Sequence, residues 1–440
     1  MKRLYYHRLR EWLTSPDRKP LIIHGVRQCG KTYLLKHFGA NEFPSFHYFN
    51  FEKEPELTKV FESNLDPHPI INQLSFHLNK HIDITKDLVI FDEIQAIPRA
   101  LTSLKYFQEE MPQLALCCAG SLLGVKLNGE PYPVGKVQTG HLYPLSFIEF
   151  LRAIDEGLSA DLIETCHSNT VIPPIVHDRI WERLKWYFIV GGLPEVIQTF
   201  INNKDNLFLA FEKVREKQAQ LLSDYYADIT KHSGKVNAMH IDRIWRSIPN
   251  QLARTLDGSS KRYQFQGIIE GIDRYSRLAN AIDWLGNAGL IFKLPIIETI
   301  EHPLSAYVEE NKFKLYVFDV GMLGALSGLV PKTILEYEYG TYKGYFAENF
   351  VIQEFISTNC KDLYSWQDGR NEVEFVRNID GDILPIEVKS GNVTHAKSLQ
   401  KFVEKYKSKY RTIMSGRPFK IDLLNGVYSY PLYLASRFPI

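Results

Sequence analysis

The sequence predicts an α/β chain: a doubly wound parallel sheet first, a helical stretch next, and a small mixed α/β module last. Three observations in the first third predict the sheet. Gly25-Val26-Arg27-Gln28-Cys29-Gly30-Lys31-Thr32 fits the pattern G-x-x-x-x-G-K-[S/T]. The apolar run Leu21-Ile22-Ile23 leads into it, and a helical pattern beginning Tyr33-Leu34-Leu35 follows. Two further apolar runs end in polar residues: Leu88-Val89-Ile90-Phe91 in Asp92-Glu93, and residues 114–119 in Gly120-Ser121. Short apolar strands alternating with helices, polar only at their ends, describe a sheet with both faces covered.

Composition sets the limits. A chain of 440 residues accommodates two to four domains. Its formal net charge of +1 gives no bulk attraction to nucleic acid, although a local basic patch remains compatible with it. The five cysteines show no metal-ligand spacing, and reduced thiols in a cytoplasmic protein account for them. The start Met1-Lys2-Arg3-Leu4-Tyr5-Tyr6-His7 is too polar for a signal peptide, and no run reaches the ~18 apolar residues of a membrane helix. A cytoplasmic location with no membrane partner is the expectation.

Taken in order, residues 1–150 read as the nucleotide-binding core. Residues 1–20 give a short helix with Tyr5, Leu9 and Trp12 among charges, then the turn Ser15-Pro16-Asp17. Strands follow at residues 21–24, 46–51, 88–91, 114–119 and 140–143. Residues 151–230 are helical, broken by Gly191-Gly192-Leu193-Pro194, and close on a long helical pattern over residues 208–226. Residues 231–330 read as helices and a short β wing, with Ser276 as a candidate N-cap and strands at 291–294 and 314–318. Residues 265–272 are helical or mixed. Such a winged-helix region serves either protein contact or nucleic acid. Residues 331–440 read as a mixed module: a helix at 344–358, three strands, a helix at 396–407, and a closing strand at 410–415.

The loop motif predicts its own chemistry. Glycines allow the backbone to wrap a phosphate, and the amides and helix N-terminus supply positive partial charge. Lys31 is placed for the β- and γ-phosphates of ATP, and the Thr32 hydroxyl for Mg²⁺. Asp92 is placed as a second Mg²⁺ residue, and Glu93 to orient or deprotonate water. Ser121 is either a sensor of the γ-phosphate or an N-cap of the helix starting Leu122-Leu123. Arg99, Arg152, Arg179 and Arg183 are candidates for a charge-neutralising arginine, with no spacing to choose among them.

A second constellation is Glu348, Glu374, Glu387 and Lys389. Side chains alternate along a strand, so Glu387 and Lys389 share a face, as do Glu372 and Glu374. Carboxylates converging from adjacent strands beside a lysine suit a metal-dependent nuclease; a salt-bridged strand face is the ordinary alternative. Lys397, Lys401 and Lys405 form a basic stripe that suits a phosphate backbone or plain solvent.

With these motifs assembled, the chain resembles the prokaryotic P-loop ATPases that join an AAA-type N-terminal domain to a C-terminal domain of unknown function, DUF4143. The resemblance rests on residues 25–32, Val89-Ile90-Phe91-Asp92-Glu93-Ile94-Gln95, Ala119-Gly120-Ser121 and Leu142-Tyr143-Pro144-Leu145-Ser146-Phe147-Ile148-Glu149-Phe150. It rests also on Gly191-Gly192-Leu193-Pro194, Lys343-Gly344-Tyr345-Phe346-Ala347-Glu348-Asn349-Phe350-Val351 and Ile386-Glu387-Val388-Lys389-Ser390. It implies an AAA+-like domain, a winged-helix segment and a restriction-endonuclease-like C-terminal domain of PD-(D/E)xK type. It places Lys31 and Thr32 as phosphate and Mg²⁺ residues, Asp92 and Glu93 as Walker B acids, Ser121 as sensor, and Glu348, Glu374, Glu387 and Lys389 in the nuclease-like signature. Two positions depart from the family pattern: Glu374 stands where aspartate is usual, and Gly135-Lys136 where Gly-Arg is common. The expected function is Mg²⁺-dependent ATP hydrolysis coupled to motion of the C-terminal domains. The alternatives are an ATP-gated nuclease and a nucleotide-binding scaffold with negligible turnover. ATP, a second copy of the chain, and DNA or RNA are the expected partners.

Overall fold

Five parallel strands form the first sheet of the computed structural model: β1 (Leu21–His24), β2 (Phe46–Asn50), β3 (Leu88–Asp92), β4 (Ala115–Gly120) and β5 (Gln138–His141). Their order is β2-β3-β4-β1-β5. β3 and β4 are buried along their whole length, as near-continuous apolar runs require when helices cover both faces. Cys117 and Cys118 lie in β4, fully buried, and the chain's five cysteines are free thiols. The structure describes all residues except 122–131, 257–261, 337–341, 361, 392–395 and 423–425. The helix expected from Leu122 lies outside the described residues.

By internal contacts the chain divides into two units, Met1–Pro144 with Asn287–Gly289, and Leu145–Gly286 with Leu290–Ile440. The first holds the parallel sheet and the helix Tyr5–Thr14, whose Leu9 and Trp12 are buried. Phe49, Phe51, Phe61, Phe91 and Phe107 stack edge to face in its core.

The second unit is organised by an eight-stranded mixed sheet. Its strands are β6 (Ile291–Ile297), β7 (Phe313–Val317), β8 (Leu363–Asp368), β9 (Asn371–Ile379), β10 (Asp382–Val388), β11 (Arg411–Ser415), β12 (Lys420–Asp422) and β13 (Val427–Pro431). The order is β12-β13-β11-β10-β9-β8-β6-β7. The hairpin β6–β7, read from sequence as a wing, continues into the C-terminal strands through the parallel pair Ile296–Ser365 and Ile297–Trp366. Two local expectations fail. Ser276 is inside the helix Tyr275–Asn287, one residue past its start, so it caps nothing. Residues 265–272 form turns with a single Ile269–Ile272 bridge rather than a helix.

A polar knot explains the sequence Gly191-Gly192. The helix Pro174–Val190 ends there, and its terminal carbonyls at Ile189 and Val190 accept from Gln218 Nε2 at 2.8 and 3.1 Å. Gly191 has φ +73, and a Cβ on it would lie 2.1 Å from Asp319 Oδ1. The Gly192 amide donates to Asp319 Oδ2 at 2.6 Å, and its carbonyl accepts from the Leu145 amide at 2.7 Å. Gln353, on the helix Tyr342–Ser357, donates to the Tyr187 hydroxyl at 2.7 Å and accepts from the Val320 amide at 2.9 Å. Its neighbour Glu354 accepts from the Phe147 amide at 3.0 Å.

Burial pushes Glu354 up to about 8, against the hydrogen bond from Phe147 and with help from Glu149. Asp319 is likewise raised by burial, to about 6, against the amides of Gly192 and Met322. A carboxyl kept neutral in the fold and free to ionise when unfolded stabilises the fold at low pH. For Glu354 this contribution is complete below its ordinary value of 4.5 and drains as pH rises through about 8. Between pH 6 and 9 the melting temperature of the wild type is therefore expected to fall by about 2–4 °C more than that of Glu354→Gln. Parallel pH dependence of the two proteins would refute the assignment.

Candidate functional site

Parallel pairing brings three strand ends to one edge of the first sheet. β4 lies between β1 and β3, so Ser121, which follows β4, falls between the loop after β1 and the acids that end β3. The loop closes tightly: a Cβ on Gly25 would lie 2.3 Å from the Leu142 carbonyl oxygen. Gln28 and Gly30 have φ of +63 and +96. Gly30 directly precedes the helix Lys31–Glu42, whose first turn presents Lys31 and Thr32.

Each expected residue of this edge has a defined contact. The buried Lys31 ammonium donates to the carbonyls of Gly25 at 2.8 Å and Val26 at 2.9 Å. Thr32 Oγ1 donates to Asp92 Oδ2 at 2.8 Å. The Glu93 amide donates to Asp92 Oδ1 at 3.1 Å, with Glu93 at φ +50, a backbone region that costs a non-glycine residue energy. Glu93 Oε2 accepts from Ser121 Oγ at 3.0 Å and from Gln95 Nε2. Ser121 thus bonds the expected catalytic acid. Arg27 extends to Glu52 at 3.2 Å, as its place in the variable part of the loop suggests, and buried Cys29 offers its carbonyl to Arg3 at 2.7 Å.

Six side chains here were missed by sequence reasoning. Tyr48 on β2 donates its hydroxyl to Asp92 Oδ2 at 2.7 Å, the same oxygen that Thr32 bonds. Asn50 Nδ2 donates to that hydroxyl at 3.1 Å, and the Lys36 ammonium lies 3.4 Å from the ring centroid. Burial and the bond to Asp92 raise the Tyr48 pKa, opposed by Asn50, so the hydroxyl keeps its proton. The register Asn50–Asp92 puts Tyr48, Asn50 and Asp92 on one face, a period-two signal present in the sequence once the two strands are paired. Arg3 also donates to the Tyr143 carbonyl at 2.6 Å, bracing the loop from outside. His24 stacks on His141 at 5.1 Å, and burial, then His141 and Lys31, push it down to about 4. It is neutral beside the loop at neutral pH.

The four arginine candidates are each engaged elsewhere. Arg99 donates to the Phe61 carbonyl at 2.6 Å, Arg152 pairs with Asp161 and Glu164, and Arg179 and Arg183 pair with Glu156. Lys136, which stands where the family usually has arginine, pairs with Glu109 at 2.8 Å.

The second constellation also assembles, with additions. The register Ile386–Phe375 sets Glu387 of β10 beside Glu374 of β9. Lys389 Nζ lies 2.5 Å from Glu387 Oε1 and 3.9 Å from Glu374 Oε1, and Glu374 Oε2 accepts from the Val388 amide at 3.2 Å. Glu348 enters from the helix Tyr342–Ser357 and accepts from Tyr316 at 2.8 Å. Lys314 lies between Glu348, at 3.4 Å, and Glu372. Lys314 and Tyr316, both on β7, were not anticipated, although a lysine inside Phe-Lys-Leu-Tyr-Val is a signal, since a buried ammonium demands acids. Burial, then Glu387, push Glu374 well above the usual carboxylate range. Burial works against the charges of Lys314 and Lys389, but Glu348 and Glu372 outweigh it for the first and Glu374 and Glu387 for the second. Glu387 Oε2 is shielded and has no hydrogen-bond partner. Among the described residues, three metal-type ligands share one point only at Glu54, Glu56 and His77, in the first unit and partly exposed. The C-terminal acids are spaced by lysines instead.

Residues 17–151 match the AAA domain. Residues 343–433 match DUF4143, and residues 182–333 match DUF8612, both domains of unknown function. The N-terminal part is thus an AAA-type P-loop ATPase domain followed C-terminally by a DUF4143 domain. No curated protein matches the chain. Solved structures with a similar trace include the Aeropyrum pernix ORC1 protein in complex with DNA, at 14% identity and TM-score 0.31, covering 75% of this chain and 93% of that one. AMPPCP-bound DnaA from Aquifex aeolicus aligns at 18% identity and TM-score 0.30, covering 64% and 87%. A RuvB variant from Thermotoga maritima aligns at 13% and 0.30, covering 65% and 86%. Alignments this loose leave the function of the chain to its own residues. Among the described residues, no helix is long and apolar enough to cross a membrane.

In the AAA domain, the Tyr48 hydroxyl holds the carboxylate of Asp92. If Asp92 holds Mg²⁺ for ATP turnover, Tyr48→Phe is expected to raise the Mg²⁺ concentration needed for half-maximal turnover by about tenfold, the usual scale for a group that orients a metal-binding side chain. An unchanged Mg²⁺ titration would remove Tyr48 from this role.

Proposed function

We propose that this chain is a Mg²⁺-dependent ATPase whose hydrolysis cycle drives conformational change in its C-terminal domains, with DNA or RNA and a second copy of the chain as partners. The observation that carries the reading is the hydrogen bond from Thr32 to Asp92, with Glu93 adjacent and held by Ser121. The donors available to a cation, a hydroxyl and a carboxylate, are hard oxygen ligands that fit Mg²⁺. Bound there, the ion would neutralise phosphate charge. The chain's own residues do the rest. Lys31 exchanges its two loop carbonyls for phosphate oxygens. Thr32 and Asp92 hold the ion, and Tyr48 fixes the rotamer of Asp92. Glu93 Oε2 turns from Ser121 and Gln95 to accept a hydrogen bond, and then a proton, from the attacking water. The Ser121 hydroxyl it leaves is free to meet the γ-phosphate, which makes this serine the sensor.

ATP turnover decides the matter. Lys31→Ala is expected to abolish nucleotide binding, and Glu93→Gln to keep binding while turnover falls by about 10²–10³-fold, the scale of losing a positioned base. Tight ATP binding by the wild type without phosphate release would leave a nucleotide-gated scaffold. Turnover unchanged in both variants would refute the site.

A second reading is supported by the convergence of Glu374, Glu387 and Lys389, with one shielded carboxylate oxygen unpartnered. It makes the DUF4143 domain a restriction-endonuclease-like nuclease gated by ATP, with Glu348 as a further acid. Mg²⁺ demands near-ideal octahedral geometry, and glutamate in place of aspartate lengthens the arm at position 374 by one methylene. Incubation of DNA and RNA with Mg²⁺ or Mn²⁺ is expected to give products that Lys389→Ala reduces by at least about 10²-fold, the scale of removing one charge-stabilising donor. Products independent of Lys389 would exclude this site.

A further inference from the structure

We propose that the cleft between the helix Lys397–Tyr406 and strands β11, β12 and β13 binds a phosphate-bearing ligand through Lys397, Arg411 and Lys420. The cleft has a volume of about 540 Å³, within the range of sites that take small ligands. Four cations line it against one carboxylate, Asp422, and Ile413 and Val427 supply apolar floor. The charges are unevenly spent. Elsewhere in the same module, Lys389 pairs with Glu374 and Glu387, Lys314 with Glu348 and Glu372, and Lys405 with Asp368. Among the described residues, no carboxylate lies within ion-pair distance of Lys397, Arg411 or Lys420. Arg411 is half-buried, and its Nε–H is shielded from solvent with no acceptor. A withdrawn guanidinium N–H without an acceptor costs free energy that a ligand oxygen would recover.

The chemistry of the lining selects phosphate. The Arg411 guanidinium presents a forked donor that matches the paired oxygens of a phosphate, and the ammonium groups of Lys397 and Lys420 add point charge for an anion of more than one unit. Ile413 of β11 pairs with Glu387 of β10, so the cleft floor and the acid cluster belong to neighbouring strands of one sheet. A nucleic-acid strand and a free polyphosphate both carry phosphate, and the site requires neither ATP hydrolysis nor strand cleavage.

The test uses the full chain carrying Lys31→Ala, so that the phosphate loop is silent, in EDTA and low salt. Binding of a fluorescent fifteen-nucleotide single strand is followed by anisotropy, and binding of tripolyphosphate by calorimetry. Lys397→Glu with Lys420→Glu is expected to weaken at least one probe by about tenfold or more and, for the strand, to lower the salt slope by about two. Lys405→Glu, on the same helix but committed to Asp368, is expected to change little. Loss of strand binding assigns the site to nucleic acid, and loss of tripolyphosphate binding alone assigns it to a free polyphosphate. Because both substituted lysines are exposed, an unchanged melting temperature confirms that the fold survives; Lys397→Gln with Lys420→Gln serves if it does not. The proposal fails if the parent binds neither probe, if charge reversal leaves both within twofold, or if Lys405→Glu weakens binding as much as the pair.

Discussion

A carboxylate withdrawn from water must be given hydrogen bonds or an opposing charge, and much of this protein is arranged around meeting that demand. Asp92 is met by Thr32, Tyr48 and the amide of Glu93. Asp319 is met by the amides of Gly192 and Met322. Glu374 is met by the Val388 amide and Lys389. For Asp92 and Asp319 partners come from segments far apart in sequence, and for Glu374 from the neighbouring strand of its hairpin, so each acid ties separate segments together. Where the demand is met by groups that a phosphate or a cation can replace, the arrangement is chemically usable. Where it is met mainly by backbone amides, with the Arg215 charge behind them, as at Asp319, it is scaffold.

The two kinds of site differ in what they leave exchangeable. Lys31 rests on the carbonyls of Gly25 and Val26, neutral acceptors that a phosphate outcompetes. The C-terminal lysines rest on carboxylates, which hold them more strongly. Lys314 in particular is fully buried between Glu348 and Glu372, and displacing it would strand two acids. Lys31 of the AAA domain is thus held by exchangeable neutral acceptors, while the acid cluster is closed by its own counter-ions.

Local pattern made the phosphate loop, Asp92-Glu93 and Ser121 legible, because glycine spacing and strand ends are written within a few residues. The contact from Ser121 to Glu93 was not legible, since it depends on β4 lying between β1 and β3. Tyr48 was hidden for a related reason: its side chain matters only through the pairing of β2 with β3. Lys314 and Tyr316 reach the acid cluster from a hairpin some thirty to seventy residues upstream of the acids it serves. β12 and β13 were not anticipated, because Val427-Tyr428-Ser429-Tyr430 mixes aromatic and polar residues and β12 is only three residues long. The hairpin β6–β7 was read as the short wing of a winged-helix region, and its parallel pairing with β8 has no local signature.

That pairing bears on where this chain can be cut. The recognised DUF4143 segment begins at residue 343, yet the neighbour that completes β8 on one side, and the lysine that neutralises Glu348 and Glu372, both come from residues 291–317. A fragment trimmed to the recognised limits would present β8 as a bare edge, open to association with other strands, above two uncompensated acids. A fragment that keeps β8 paired on both sides and Glu348 and Glu372 compensated starts before β6. The family boundary and the physical boundary of the module do not coincide.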